Sequence, residues 1–129
     1  MGWVVADLVS RWRDKIGQYH AFEWERCLAD LGLTYRIVDL PASLPALIVN
    51  RTILVRRGMS AVATAFWVWH EVGHWVCHVG NREFWRTRPQ GYLTLSKMER
   101  QATEFAIRFP DWDDVPLGGV EREAICVPY

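Results

Sequence analysis

Hydrophobic residues recur at helical spacing through the first part of the chain. Between residues 3 and 16, apolar side chains return every three or four positions, and Gly17 interrupts the pattern. A second run with the same spacing covers residues 21–31 and stops at Gly32, a residue type favoured at helix ends. The sequence therefore predicts two amphipathic helices ahead of any strand.

The next segment contains short apolar runs rich in β-branched residues. These runs predict three strands, at residues 34–38, 46–49 and 52–55. Only Asn50 and Arg51 separate the second run from the third, which is the length of a two-residue hairpin turn. Because Arg51 is not the glycine that such turns favour, the pattern leaves the register of the hairpin open.

Helical spacing returns in the second half of the chain. A long helix is predicted to begin at Gly58 or Ser60, and a last helix covers residues 96–108. Residues 81–95 are predicted to be a polar connection, and residues 111–129 an irregular tail. We therefore expect an α+β domain in which a short antiparallel or mixed sheet packs on the long helix, with further helices before and after it.

Length and composition are those of one folded domain spanning residues 1–129, and they exclude several classes of function. Half of the chain is hydrophobic, while 15 basic and 15 acidic residues cancel, so no net charge attracts nucleic acid or anionic lipid. The N-terminus lacks the basic and apolar runs of a signal peptide, and no uncharged run reaches the ~18 residues of a membrane span. The three cysteines have no metal-binding spacing and indicate reduced thiols in a cytoplasmic protein.

The sequence His-Glu-Val-Gly-His at residues 70–74 is the motif that carries chemistry. Histidines four residues apart lie on one face of a helix, with roughly 5–6 Å between their Cβ atoms. Both imidazoles of His70 and His74 can therefore reach one tetrahedral Zn²⁺. Glu71 projects beside them, where it can act as a general base toward a metal-activated water instead of as a ligand. Gly73 costs about 1 kcal/mol inside a helix, which either a close backbone approach or simple tolerance would explain.

The long helix also has two distinct faces. Its apolar arc, which we expect to pack on the sheet, lies roughly opposite the histidines and consists of Ala65, Trp69, Val72 and Val76. The arc with His70, Glu71 and His74 is expected to face a cleft. Trp67 lies nearer that second arc, and both a contact with substrate and an ordinary place in the core are open for it.

A catalytic zinc site needs a third protein ligand. His78 is about 12 Å of helical rise from His70, too far to share one ion with both other histidines, and is assigned to the wall of the site or to an ordinary position. On the last helix, Glu99 flanks the buried stripe and is the predicted third ligand, whereas Glu104 points toward water. Alternatively, Ser96 begins a capping box in which Glu99 bonds back to the helix start. Weaker candidates in the tail are Asp111, Asp113 and Asp114.

Two segments together resemble the ImmA/IrrE family of zinc metallopeptidases. The first is the motif at residues 70–74 with His78 four positions on, and the second is Glu-Arg-Gln-Ala-Thr-Glu-Phe-Ala at residues 99–106, followed by Pro110. The resemblance implies a small zincin-like domain with Zn²⁺ bound by two histidines and a glutamate, at the positions of His70, His74 and Glu99. It also implies Glu71 as the catalytic base. Thr103 departs from the family pattern, which usually has asparagine there.

The resemblance further implies a cytoplasmic endopeptidase of narrow specificity, whose substrate is a protein or peptide and often a helix-turn-helix repressor. The leading hypothesis is therefore a zinc-dependent endopeptidase with Glu71 as general base. The alternative is a non-catalytic regulatory or partner-binding module of the same fold that contains zinc. No spacing selects the group that would stabilise an oxyanion among Tyr35, Arg88 and Tyr92. The basic and aromatic loop from Arg82 to Arg88 fits a contact with an acidic partner or nucleic acid, or more often a solvated loop.

Overall fold

The structure is a computed structural model that describes residues 5–77 and 91–115. Its elements in chain order are α1 (Val5–Ile16), a 3₁₀ turn (Ala21–Glu23), α2 (Trp24–Leu31), β1 (Thr34–Val38), β2 (Ala46–Val49), β3 (Thr52–Arg56), α3 (Ala61–Cys77) and α4 (Gly91–Arg108). The fold is α+β, with four α-helices and a small mixed sheet among the described residues, as the hydrophobic pattern predicts.

The sheet has the strand order β1-β3-β2. β1 runs parallel to β3, and β2 pairs with β3 in the antiparallel direction, which fixes the register that the sequence left open. Asn50 in the hairpin turn has φ 56°, a left-handed conformation that asparagine tolerates better than most residues. One face of β2 and β3 is buried, and its core side chains are Ala46, Ile48, Ile53 and Val55.

β2 lies at an edge of the sheet, and its outward-facing amides matter for the site. Val49 and Thr52 flank the two-residue turn, so they and every second pair beyond them form the hydrogen-bonded pairs of the ladder. The bond from the N–H of Arg56 to the carbonyl of Pro45 follows this alternation. The N–H of Ile48 therefore points away from β3, toward the outer edge.

The second predicted helix begins in a 3₁₀ turn. The side chain of His20 accepts a hydrogen bond from the N–H of Phe22, and the carboxylate of Glu23 accepts one from the N–H of His20. This reciprocal cap satisfies donors that the first turn leaves without partners. α2 ends at Leu31 and is capped by Gly32 in a left-handed conformation, as the pattern predicts.

α3 and α4 pack against each other in antiparallel fashion. Trp69 near the middle of α3 contacts Phe109 just beyond α4, with ring centroids 5.6 Å apart, whereas His74 near the end of α3 meets Glu99 in α4. Between these contacts, a Cβ atom built on Gly73 would lie 2.9 Å from the carbonyl oxygen of Ala102. Gly73 thus permits a close approach of the two backbones, and tolerance alone does not account for it.

The last helix differs from its predicted bounds. It begins at Gly91 and not at Ser96, because the segment from residue 91 onward contains neither proline nor an internal glycine and its apolar positions continue the spacing of the later turns. Ser96 therefore lies inside α4, where it cannot be an N-cap. The capping-box alternative for Glu99 is wrong for this reason.

The two faces of α3 also differ from expectation. Trp69, the largest residue of the apolar arc, packs away from the sheet: it donates its indole N–H to the carbonyl of Ala21 at 2.8 Å and packs on Tyr19 and Phe109. It is the histidine-bearing arc that faces β2 and α4, and that arc is buried instead of lining an open cleft. Periodicity located both arcs but could not assign a neighbour to each, because helices and strands cover α3 on several sides.

Two further predictions concern thiols and membranes. Cys27 and Cys77 are buried free thiols, while Cys126 lies outside the described residues. Within residues 5–77 and 91–115, no helix combines the length and the apolar character required to cross a bilayer.

A candidate metal centre

The two histidines of the motif lie one turn apart on α3, with their ring centroids 4.9 Å apart. His70 and His74 are only 2% and 5% exposed. The indole of Trp67 packs edge-on against the ring of His70 at a centroid distance of 4.9 Å and is itself buried. Trp67 therefore belongs to the core and contacts an imidazole, so it is not an exposed contact for a substrate.

Glu99 of α4 brings one oxygen to both imidazoles. Its Oε1 lies 3.0 Å from Nε2 of His74 and 3.3 Å from Nε2 of His70. The His70 Nε2 atom is buried, and its contact with Glu99 is the longer of the two. Ligand atoms about 2.0–2.2 Å from one tetrahedral ion lie about 3.3–3.5 Å apart. The two distances to Oε1 of Glu99 are thus close to the separation that ligand atoms of a shared metal ion would have.

Glu71 is bound at both of its carboxylate oxygens. Its Oε1 accepts a hydrogen bond of 3.0 Å from the N–H of Ile48, at the outer edge of β2. Its Oε2 lies within hydrogen-bond distance of Nδ1 of His70, at 3.3 Å. The side chain of Glu71 is consequently held between the sheet and the first histidine, on the opposite side of the imidazole from Glu99.

The electrostatics of the cluster follow from burial and from the short distances. Burial lowers the pKa of His70, but hydrogen bonds and charge from Glu71 and Glu99 outweigh it and raise that pKa to about 9. Burial raises the pKa of Glu99, yet hydrogen bonds from both imidazoles and their charges hold it well below its usual range. For Glu71 burial is likewise outweighed, by the hydrogen bond from His70 and by the charges of His74 and His70, so its pKa is lowered. The metal-free cluster therefore binds positive charge between two carboxylates, which a proton or a metal ion can supply.

This buried group could bind a metal ion. His70, Glu71 and His74 each offer a ligand atom within 4.8 Å of the others. Glu71 is nevertheless a poorer third donor than Glu99, because both of its oxygens already accept hydrogen bonds and its Oε2 faces Nδ1 of His70. Glu99 faces the Nε2 atoms of both histidines, and we take these three residues as the better donor set.

Other predicted site residues have different positions or lie outside the described part of the chain. Glu104 is half-exposed and forms an ion pair with Arg108 at 2.8 Å, which agrees with the prediction that its side chain points toward water. The carboxylate of Asp111 accepts a hydrogen bond from the N–H of Asp113, in a turn whose backbone pairs with the segment around His20. The hydroxyl of Tyr35 donates to Glu25 at 2.5 Å. Predictions for His78, for Arg88 and the rest of the loop from Arg82, and for the side chain of Tyr92 concern positions outside the description.

Sequence reasoning missed two contacts at this centre. The amide of Ile48 could not be found from the sequence, because every residue except proline carries an N–H and only the strand register aims this one at Glu71. The contact of Trp67 with His70 had a weak signal, since the two residues are three positions apart on one helix and such residues are neighbours on its surface.

The fold and the site together define an α+β protein with a buried candidate metal centre between a helix pair and a sheet edge. No protein-family model, curated protein or solved structure matches the chain. The resemblance to the ImmA/IrrE family therefore stays a prediction from the motifs.

Proposed function

We propose that this protein is a zinc-dependent endopeptidase in which His70, His74 and Glu99 bind the metal and Glu71 is the general base. The observation that carries the proposal is the convergence of two buried Nε2 atoms on Oε1 of Glu99, at 3.0 and 3.3 Å. Two imidazoles and one carboxylate are a ligand set found in catalytic zinc sites, which keep a further coordination position open.

The donor set also favours zinc over harder cations. Ca²⁺ and Mg²⁺ prefer sites made of oxygen ligands, whereas imidazole suits zinc and other transition metals. A bound zinc ion would supply Lewis-acid activation of water and of a peptide carbonyl. Glu71 is ionised in this environment, so it can accept a proton from the attacking water and return it to the leaving amine.

The proposed substrate is an extended protein segment. β2 is an edge strand next to the site, and sheet edges often bind peptides by strand addition, for which the Ile48 amide is not free because it donates to Glu71. The resemblance of residues 70–74 and 99–106 to ImmA/IrrE metallopeptidases adds the proposal that the substrate is a helix-turn-helix repressor.

A second candidate function is a non-catalytic module whose zinc stabilises the fold or a partner interface. Two observations favour it. Glu71 is only 5% exposed, and the side chain of Glu99 is only 17% exposed, so the cluster is more enclosed than a typical substrate site. In addition, Glu71 already uses both of its oxygens, and one of them must be released before it can act on a water.

Metal content and turnover measured on one preparation distinguish these functions. We expect one zinc per chain in the purified protein, and cleavage of members of a fluorogenic peptide library or of a repressor encoded beside its gene. Glu99→Gln should weaken zinc binding by roughly 100-fold or more, since even residues that only contact a ligand account for about 10–100-fold. Glu104→Gln is the matched control, because it makes the same chemical change on the same helix at a half-exposed position.

Glu71→Gln tests the catalytic part of the proposal. When the variant is saturated with zinc, turnover should disappear although the metal is bound. Cleavage by that loaded variant at the wild-type rate would exclude Glu71 as the base. Stoichiometric zinc with no turnover on any peptide or repressor would favour the non-catalytic module, and absence of zinc affinity in the wild-type chain would refute both functions.

A further inference from the structure

The contacts of Glu71 indicate a role that precedes any proton transfer. Both groups that face its carboxylate are hydrogen-bond donors or can be donors: the amide of Ile48 always donates, and Nδ1 of His70 donates when it carries the proton. A carboxylate accepts on both of its oxygens, so the two contacts, one to each oxygen, can be satisfied at once.

The proton on Nδ1 determines what the other ring nitrogen can do. A neutral imidazole protonated at Nδ1 has its lone pair on Nε2, and Nε2 of His70 is the atom that faces Glu99 at 3.3 Å. A lone pair on this nitrogen and the carboxylate oxygen of Glu99 repel one another unless a cation lies between them. A group that keeps the proton on Nδ1 therefore prepares Nε2 to bind a metal ion.

We infer that Glu71 is a positioning residue for His70: held by the Ile48 amide, it keeps Nδ1 of the imidazole protonated and turns Nε2 toward the metal. Carboxylates commonly hold metal-binding histidines in this way, and their loss weakens metal binding by about 10–100-fold. Here the carboxylate belongs to the residue next to the histidine and is itself fixed by a strand edge. This role rests on the metal-binding part of the proposed function and does not require peptidase activity.

The Ile48 amide is essential to this arrangement. A glutamate beside its own histidine on an exposed helix would exchange among many rotamers, and ordering its side chain would cost conformational entropy. The bond of 3.0 Å from Ile48 is buried and fixes Oε1, which leaves Oε2 aimed at the ring. The edge of β2 thereby positions a ligand on α3 through Glu71.

Glutamine in place of Glu71 should expose the requirement for two acceptors. Its side-chain amide has one oxygen and one NH₂ group, so it can accept from Ile48 or from His70 but not from both. In zinc titrations with a competing chromophoric chelator, Glu71→Gln should bind Zn²⁺ about 10–100-fold more weakly than wild type. Glu104→Gln should bind as wild type does, because Glu104 pairs only with Arg108 among the described charged groups.

Nitrogen-15 NMR of the full-length, zinc-loaded protein tests the tautomer directly. In wild type we expect His70 to carry its proton on Nδ1, in slow exchange with water, and to bind zinc through Nε2. In zinc-saturated Glu71→Gln that proton should exchange faster with water. This signature would not change if Glu71 served only as a base or only filled space.

The possible outcomes separate this inference from the proposed function. Wild-type protein with zinc on Nδ1 of His70 overturns the inference even if Glu71→Gln fails to fold. Unchanged zinc affinity in a folded Glu71→Gln variant also overturns it, whether or not peptides are cleaved. Weaker affinity and a faster-exchanging Nδ1 proton support it, even if no substrate is ever cleaved and the peptidase proposal fails. A wild-type chain without zinc affinity overturns both.

Discussion

Replacing Gly73 with alanine should separate the stability of the α3–α4 pair from its ability to bind metal. The added Cβ would lie 2.9 Å from the carbonyl oxygen of Ala102, 3.1 Å from its Cα and 3.1 Å from Cβ of Phe105. Optimal contacts between such atoms are about 3.5–4.0 Å, so the helices must separate locally by about 0.5 Å or more. Two of the three atoms belong to the backbone and cannot be avoided by a change of rotamer.

The expected change in stability is small, because two effects oppose each other. Alanine gains about 1 kcal/mol over glycine in helix propensity, whereas overpacking a close contact costs about 1–3 kcal/mol. We therefore expect the free energy of unfolding of metal-free Gly73→Ala to fall by about 0–2 kcal/mol. Urea denaturation followed by circular dichroism measures this change.

Metal affinity should respond more strongly than stability. Glu99 lies one helical turn before Ala102, so a movement of α4 carries its carboxylate away from His70 and His74. Metal ligands must lie within about 0.2 Å of their ideal distances, which is less than the expected shift. We expect at least about a 10-fold loss of zinc affinity in Gly73→Ala, measured by chelator competition.

Arg100→Ala is the control for this experiment, because Arg100 is exposed on α4 beside Glu99 and its replacement should alter neither quantity by much. The reasoning is refuted if Gly73→Ala is about 1 kcal/mol more stable than wild type and binds zinc equally well. That result would mean that α3 and α4 do not approach as closely as the contact at Ala102 requires.

Three further predictions concern metal removal, buried thiols and the indole of Trp69. Removing zinc with a chelator should lower the unfolding temperature, since free zinc at a thousand times Kd adds about 4 kcal/mol to the free energy of unfolding. An unchanged unfolding temperature would argue against metal binding. Burial raises the pKa of Cys27 and of Cys77 to about 12. The contribution of the two thiols to the free energy of unfolding should therefore be fully present below pH 9 and fall as the pH rises toward 12. In Cys126→Ser, both remaining thiols should resist alkylation until the protein unfolds. Trp69→Phe removes the 2.8 Å hydrogen bond to the carbonyl of Ala21 and should lower the free energy of unfolding, measured in urea, by about 1–3 kcal/mol. An unchanged free energy of unfolding would show that water replaces the indole as donor.

The local elements were largely predictable, because their signals lie within a few neighbouring residues. β1 and β2 have the predicted bounds, and β3 extends one residue farther. Their boundaries coincide with glycine, proline and the two-residue turn, which restrict the backbone directly. The start of α4 was missed because a serine followed three residues later by a glutamate is also common inside helices, and the pattern cannot tell a cap from an interior turn.

The neighbours of α3 were not predictable from its periodicity. A helical pattern separates an apolar arc from a polar arc, but it assumes that the polar arc faces water. In α3 the polar arc is buried against β2 and α4, because the side chains there bond to one another and to the Ile48 amide. Burial of polar groups is acceptable when they have such partners, and the partners come from distant parts of the chain.

The candidate centre depends on two long-range registers that the five-residue motif does not contain. The contact of Gly73 with Ala102 sets the level at which α4 presents Glu99, whereas the pairing of β2 with β3 decides which amides point outward to Glu71. A slip of one residue in that pairing would turn the N–H of Ile48 inward and move its side chain to the other face of the sheet. The two registers act on opposite sides of the His70 ring. Their effects on zinc affinity should therefore differ in kind: Gly73→Ala displaces a ligand and leaves the Nδ1 proton in place, while Glu71→Gln leaves the ligand set and releases that proton.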